Sequence, residues 1–408
     1  MRIALLCHYP DDDTAPAGGV WAVGRNLAAG LVEAGADVHV LRYIPAASSG
    51  AARLVTAGQP PLTIHTALLP RRRGQPLRRA AAVPALIQAL QAIRPVAISA
   101  HESEYGLAAV RSGFPAAVTI HGIPRQEFRA FRRWRNRLDL ALTVGQDWLM
   151  VREARYLVAI NDYALRQYQG RTRAQFYRIA VPIGEVFFQA PERQPDPATL
   201  LMVGGMNERK DPLLMLQALA LVRSAVPEVR LRIAGRPLSG PFGARVRQTI
   251  DALGLTDHVQ FLGSLDQPQL ADAYAAAAVT VLSSRQETAP AVLMEAMAAR
   301  RPVAATAVGG VSEIVAHGVS GYVSPPGDTR GRWPTACSVC CWTRSARPAW
   351  ARPAGPWPRL PIAAIWSAGN IWPWCALLQD DRVIRRLFAW VGLRSTPEQA
   401  DRAALREF

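Results

Sequence analysis

Lysine is almost missing from this chain. Of 47 basic residues one is lysine, Lys210, and the others are arginine. A GC-rich coding sequence exchanges Lys for Arg wherever the swap is tolerated, so the surviving ammonium marks a place where a compact point charge must reach one oxygen. No apolar run approaches the length needed to cross a bilayer. The N-terminal run ending at Cys7 meets His8 and then Asp11, Asp12 and Asp13, too early for a secretory signal, so it reads as a first β-strand. A cytoplasmic protein is expected. The net charge of +16 has no recognised nucleic-acid-binding module beside it, so nucleic acid is not an expected partner.

Acidic residues vanish from one stretch. From Thr329 to Gln379 there is no Asp or Glu, while seven of the eleven Trp and four of the five Cys fall there. No helical or strand period runs through it. Enrichment in Arg, Pro, Ala, Trp and Cys is what an off-frame reading of GC-rich codons gives. Residues 329–375 are therefore read as an out-of-frame segment, with the frame regained near Ala376 and a helical tail over 376–408. Cys337, Cys340 and Cys341 lack a second ligand pair at zinc spacing, and no His lies in the segment, so no metal is expected.

What is present is alternation. Apolar strands and helical patterns follow one another through the first 320 residues, which argues for a parallel α/β architecture. Strands are predicted at Arg2–Cys7, Asp37–Tyr43, Val96–Ala100, Ala116–Ile120, Tyr156–Ile160 and Phe176–Ala180, with helices such as Val20–Ala34 and Ala81–Ile93 between them. Residues 183–197, with Pro191, Pro195 and Pro197, read as an irregular linker between a first domain, 1–182, and a second, 198–328. The second domain repeats the alternation, with helices predicted at Pro212–Ala225, Gly243–Leu253 and Gln267–Ala276. Two doubly wound domains facing each other place a ligand in the crevice at the carboxyl ends of their strands.

One block carries most of the chemistry. Glu287 sits in a polar loop after an apolar strand, and Thr288, Ala289, Pro290 and Ala291 lead into a helix of strong formers. Pro290 suits its first turn, and the free amides there make an anion site. Glu295 lies two turns beyond Glu287, roughly on the same side. Arg301-Pro302-Val303, Gly309-Gly310 and Glu313 follow.

This block resembles the Glu-x7-Glu signature of family-4 retaining glycosyltransferases, which have the GT-B fold of two Rossmann-like domains across a central cleft. The resemblance covers roughly residues 1–328. It implies that Glu287 contacts hydroxyls of a donor sugar, that the amides of Thr288 to Ala291 hold sugar and phosphate, and that Glu295 binds ribose. It further implies that His121, at the end of the strand Ala116–Ile120, supports the donor, and that Lys210 neutralises the diphosphate. His101 and Glu102 are expected on the same rim. Gly18 and Gly19, between the first strand and helix, correspond to a Gly-Gly near donor phosphate and acceptor. The sequence departs from the pattern at Gly205, where the family carries an Arg; Arg209 is the neighbour placed to supply that second charge.

The resemblance implies sugar transfer from a nucleotide-diphosphate sugar to a hydroxyl of a glycan or lipid-linked acceptor, with anomeric configuration kept and no cofactor or metal. The alternative is a catalytically impaired relative that binds a donor or partner without turnover. Six arginines between Arg125 and Arg137, interleaved with Phe128, Phe131 and Trp134, suit an anionic membrane surface at the inner face, or an acidic, lipid-linked acceptor.

Overall fold

The computed structural model describes residues 1–10, 19–45, 53–69, 75–130, 134–236 and 238–326. The acid-free stretch 329–375, the tail 376–408, Gly18 and Phe131 lie outside the described residues.

The first lobe holds strands β1 (Arg2–Leu6), β2 (Asp37–Pro45), β3 (Arg53–Gln59), β4 (Leu62–Leu69), β5 (Ala97–His101), β6 (Ala116–Ile120), β7 (Tyr156–Ala159) and β8 (Gln175–Arg178). Its helices are α1 (Gly19–Glu33), α2 (Gln75–Ile93), α3 (Ser103–Arg111), α4 (Pro124–Ala130), α5 (Trp134–Glu153) and α6 (Asp162–Tyr168). α7 (Glu185–Phe188) follows. The second lobe has β9 (Asp196–Val203), α8 (Pro212–Ala225), β10 (Arg230–Ala234), α9 (Gly240–Ala252), β11 (Val259–Gly263) and α10 (Gln267–Ala276). It ends with β12 (Ala277–Leu282), α11 (Ala291–Ala298), β13 (Val303–Thr306), α12 (Val311–Ile314) and β14 (Gly321–Ser324). Both lobes belong to one compact unit.

Strand order in the second sheet is β11-β10-β9-β12-β13-β14, all parallel. Order reverses between β9 and β12, the switch point where such sheets open a crevice. The first sheet runs β3-β4-β2-β1-β5-β6-β7-β8, with its reversal between β1 and β5. β9 explains why the second sheet is covered on both faces. Leu200 and Met202 enter one buried cluster with α8 and α9, while Leu201 and Val203 enter another with α10 and α11. Successive side chains of a strand point to opposite faces, so an unbroken apolar run needs cover on each.

Two sequence expectations change. The first sheet is not wholly parallel, because β3 pairs antiparallel with β4 in a hairpin that the apolar pattern did not reveal. β3 is an edge strand with Leu54 and Val55 exposed, and β4 buries Thr63, His65 and Thr66, so neither gives a clean apolar alternation. The linker is also less irregular than its prolines imply. α7 buries Phe187 against Tyr274 at a ring separation of 5.8 Å, and Ala190 joins the same core. Arg300 then holds the carbonyls of Phe188 and Ala190, so the segment after Val181 is built into the second lobe.

No helix among the described residues is long and apolar enough to cross a membrane.

Candidate active site

A cleft of about 630 Å³ opens between the lobes. The side chains on its walls come from the carboxyl ends of strands. His8 follows β1, Glu102 follows β5, His121 follows β6, Gly204 follows β9, and Glu287 lies in the loop after β12. Gly19, Arg209, Lys210, Thr288, Ala289, Pro290, Ala291 and Glu295 line the same space. Among the described residues, every sequence-predicted site residue but His101 therefore meets in one place.

Glu287 is the hub. Its Oε1 accepts from Lys210 Nζ at 2.7 Å and from Ser284 Oγ at 2.6 Å, and its Oε2 accepts from Arg209 Nη1 at 3.0 Å. Burial alone would raise the carboxyl's pKa, yet Lys210, Arg209 and the hydrogen bonds bring it below the ordinary range. The charge is thus fixed as carboxylate. Two cations face one anion, leaving net positive charge beside the N-terminal end of α11, where the first helical amides have no carbonyl of their own helix to bond. Arg209, proposed from its neighbourhood to replace the missing charge at Gly205, does reach the site.

The loop geometry that delivers these groups is local. Lys210 follows a turn in which Asn207 Oδ1 accepts from the amides of Arg209 and Lys210. Gly204 has φ 131°, and a Cβ there would stand 3.3 Å from Lys210 Cε, so glycine leaves the lysine stem its path. The Arg285 amide donates to Arg209 O, and Ser283 Oγ donates to the carbonyls of Lys210 and Asp211, stitching the β12–α11 loop to the β9–α8 loop. Pro290 is the N-cap of α11, not a residue of its first turn.

Glu295 stands behind this hub. Tyr274, on α10, donates its hydroxyl to Glu295 Oε2 at 2.8 Å. Burial lifts the Glu295 carboxyl to about 7, against the pull of Tyr274 and Lys210. Unlike Glu287 it is poised to gain or lose a proton near neutrality. Sequence reasoning found Glu295 but not its partner, because the tyrosine is 21 positions away on another helix.

The first lobe presents histidines. His101 Nδ1 and His121 Nε2 are 2.6 Å apart, and His101 Nε2 lies 3.0 Å from Ser99 Oγ. Burial depresses the His121 pKa to about 4, with Glu102 opposing, and burial and then His121 press His101 well below its usual value. Both rings are neutral at pH 7. His101 does not line the rim as expected; it is buried behind His121 and holds that ring from the rear. Glu102 is in the cleft with φ 75° and ψ 161°, a backbone region that costs a non-glycine residue about 1–3 kcal/mol. His8, which stacks on Trp21 at 5.7 Å, has its Nε2 3.6 Å from Glu102 Oε2. His8 and Trp21 were not singled out in the sequence, although a His at the carboxyl end of a first strand was the available signal.

Comparison with known proteins gives this arrangement its context. The model described as "Glycosyl transferase 4-like domain" matches residues 18–184, and that described as "Glycosyl transferases group 1" matches residues 185–330. The chain belongs to the family-4 glycosyltransferases. Its fold is GT-B. A D-inositol 3-phosphate glycosyltransferase of Thermobispora bispora is 39% identical over 141 residues, 33% of this chain and 33% of that protein. The chain spans about a third of the length of that relative and of the next in similarity. Among solved structures, a sucrose-phosphate synthase from Thermosynechococcus elongatus superposes with a TM-score of 0.66 at 23% identity, covering 95% of this chain and 99% of that one. The Anabaena protein HepE in complex with UDP-glucose superposes with a TM-score of 0.59 at 18% identity, over 84% of this chain and 91% of that one. These likenesses concern the fold. The two family matches together run through residues 18–330, which hold every cleft-lining residue named here except His8.

Proposed function

We propose that this family-4 glycosyltransferase takes a sugar from a nucleotide-diphosphate donor and passes it to an acceptor hydroxyl, keeping the anomeric configuration. The observation that carries the reading is the Lys210–Glu287–Arg209 cluster at the mouth of α11. A diphosphate arriving there meets two cations held by a single carboxylate, together with the helix's first amides. Lys210 and Arg209 turn toward phosphate oxygen as charge develops on the leaving group, which is where preorganised donors lower a barrier most. Glu287, kept ionised, accepts from sugar hydroxyls and sets the sugar's orientation. Glu295 accepts from ribose hydroxyls. His121, neutral and backed by His101, faces the donor from the other lobe. The leaving diphosphate accepts the acceptor's proton, so the scheme needs no metal and no cofactor. The nucleotide-sugar donor fits the UDP-glucose bound to HepE, a protein of the same fold.

The acceptor is placed on the first lobe and is a glycan or a lipid-linked sugar, as in cell-surface polysaccharide or glycolipid synthesis. The basic stretch from Arg125 supports attachment to an anionic inner membrane face. α5, which continues from it, exposes Leu142 and Trp148 and sets Arg152 over the Trp148 ring at 5.2 Å. Flotation with phosphatidylglycerol vesicles tests this; protein left in the dense fraction with and without the vesicles rules it out.

Gly205 supports a second reading, a relative that binds donor without turning it over. Purified protein incubated with a panel of nucleotide sugars separates the two. Release of nucleoside diphosphate, lost in Lys210→Ala, is expected; binding without release favours the second reading, and neither binding nor release removes both.

A further inference from the structure

One amide ties the lobes together. Asn161 follows β7 in the first lobe, is buried, and uses both ends of its side chain. Its Oδ1 accepts from the Ala164 amide at 2.8 Å and caps α6. Its Nδ2 reaches the second lobe and donates to Thr288 O at 2.6 Å. Thr288 is the residue after Glu287 and begins the loop that lines the donor side. The rest of α6 reinforces the contact. The Asp162 amide donates to Glu313 Oε2 at 2.8 Å, and Arg166 Nη2 donates to Glu313 Oε1 at 2.7 Å.

The second lobe is cut to receive this contact. A Cβ on Gly310 would fall on Asn161 Nδ2 and Thr288 O, and one on Gly309 would fall on Glu287 O, with Tyr163 Cε1 3.3 Å away. Gly309 also has φ 58°. The Gly310 amide lies 3.4 Å from Glu287 O, so the glycine pair and the 287–288 backbone support each other.

We propose that Asn161 is a positioning residue for the donor loop: the first lobe, through this amide, holds Thr288 so that the 287–291 backbone keeps the form that takes a nucleoside diphosphate. The ligand named here rests on the reading under Proposed function, whereas the loop geometry can be read without any ligand. Lobe closure and donor binding then form one event, since a separated first lobe takes the prop away from the loop.

The test is peptide-level hydrogen exchange on the full-length protein without ligand, comparing wild type with Asn161→Asp and Glu313→Gln. Aspartate keeps the oxygen that caps α6 and replaces the donated N–H with an oxygen facing a carbonyl. Exchange over 285–295 and 307–315 is expected to rise about tenfold in Asn161→Asp, the loss of roughly one hydrogen bond, and less in Glu313→Gln. Peptides from β9, α8 and α6 are expected to stay as in wild type. Unchanged exchange in the loop overturns the proposal, and so does a rise spread evenly through the second lobe, which would mean general loosening. UDP serves as the binding probe, with affinity expected to fall about tenfold in Asn161→Asp. Should wild type bind no UDP or other nucleoside diphosphate while the exchange pattern appears as expected, the donor reading fails and the positioning role stands.

Discussion

Lys210 Nζ lies 2.7 Å from Glu287 Oε1, joining loops 77 residues apart at the carboxyl ends of the two strands that flank the switch point of the second sheet. Each group makes the other affordable in a buried place. Without Lys210 the carboxylate keeps Arg209 and Ser284, and without Glu287 two cations face each other across the cleft wall.

Lys210→Ala is therefore expected to lower both stability and turnover. Breaking a buried pair by removing one partner costs about 3–5 kcal/mol, and the remaining contacts from Arg209 and Ser284 place this case near the lower end. Urea unfolding measures it. Sugar transfer is expected to fall roughly 10²–10³-fold, measured as nucleoside diphosphate release under conditions where the variant is fully folded. Turnover equal to wild type would remove Lys210 from the chemistry.

Glu295 sets an alkaline limb of stability. Its folded pKa of about 7 lies above the ordinary 4.5, so between these values the folded protein holds a proton that the unfolded chain has released. The contribution is complete below pH 4.5 and is lost as pH rises through about 7. Glu295→Gln removes the titration, and the stability of wild type relative to the variant is expected to drop by about 3 kcal/mol from pH 4.5 to pH 8. Denaturant melts at a series of pH values check this, and parallel curves would contradict it.

The histidine pair sets the opposite limb. His121, depressed to about 4 from 6.5, stays neutral in the folded state while the unfolded chain protonates below 6.5. Stability is present above pH 6.5 and is lost as pH falls toward about 4. His121 is half-buried at the cleft wall, so cleft water reduces the loss to about 1–2 kcal/mol. His121→Asn is expected to make this limb shallower, with the share of the buried His101 remaining, which the same melts extended to acid read out.

The sequence exposes some of these relations and hides others for physical reasons. α10 has the predicted bounds because Asp266 and Gln269 close a capping box and Pro268 fits the first turn, all local chemistry. β6 matches because Ala116–Ile120 is apolar except for Thr119 and is buried at every position. Glu287, Glu295 and Lys210 were legible through motif spacing. The pairing of Lys210 with Glu287 was not, since it depends on how two loops fold against each other. Asn161 reads as a plain helix cap, and its second bond, to a carbonyl 127 residues later, leaves no local trace. The β3–β4 hairpin stayed hidden because an exposed edge strand has no apolar face to advertise.

Gly205 gives the most constructive test. The resemblance puts an Arg at this place, and a Cβ fits there without a clash. The nearest atom to a Cβ there is Asn207 Nδ2 at 3.9 Å, an ordinary contact, and Gly205 is not among the glycines with positive φ. Arg209 reaches the site but is shared, its Nη1 lying 3.0 Å from Glu287 Oε2 and 3.2 Å from Gln286 O. A guanidinium at 205 would add a cation not already committed to Glu287, and a bidentate hold on phosphate is what that group does best. Gly205→Arg is thus expected to tighten UDP binding and to raise nucleotide release about tenfold, the share of one charge-assisted contact of about 1.5 kcal/mol. The double variant Gly205→Arg with Arg209→Gln separates replacement from addition. If Arg209 stands in for the missing residue, the double variant recovers wild-type turnover. If the double variant instead turns over no faster than Arg209→Gln alone, Arg209 serves Glu287 and not the phosphate.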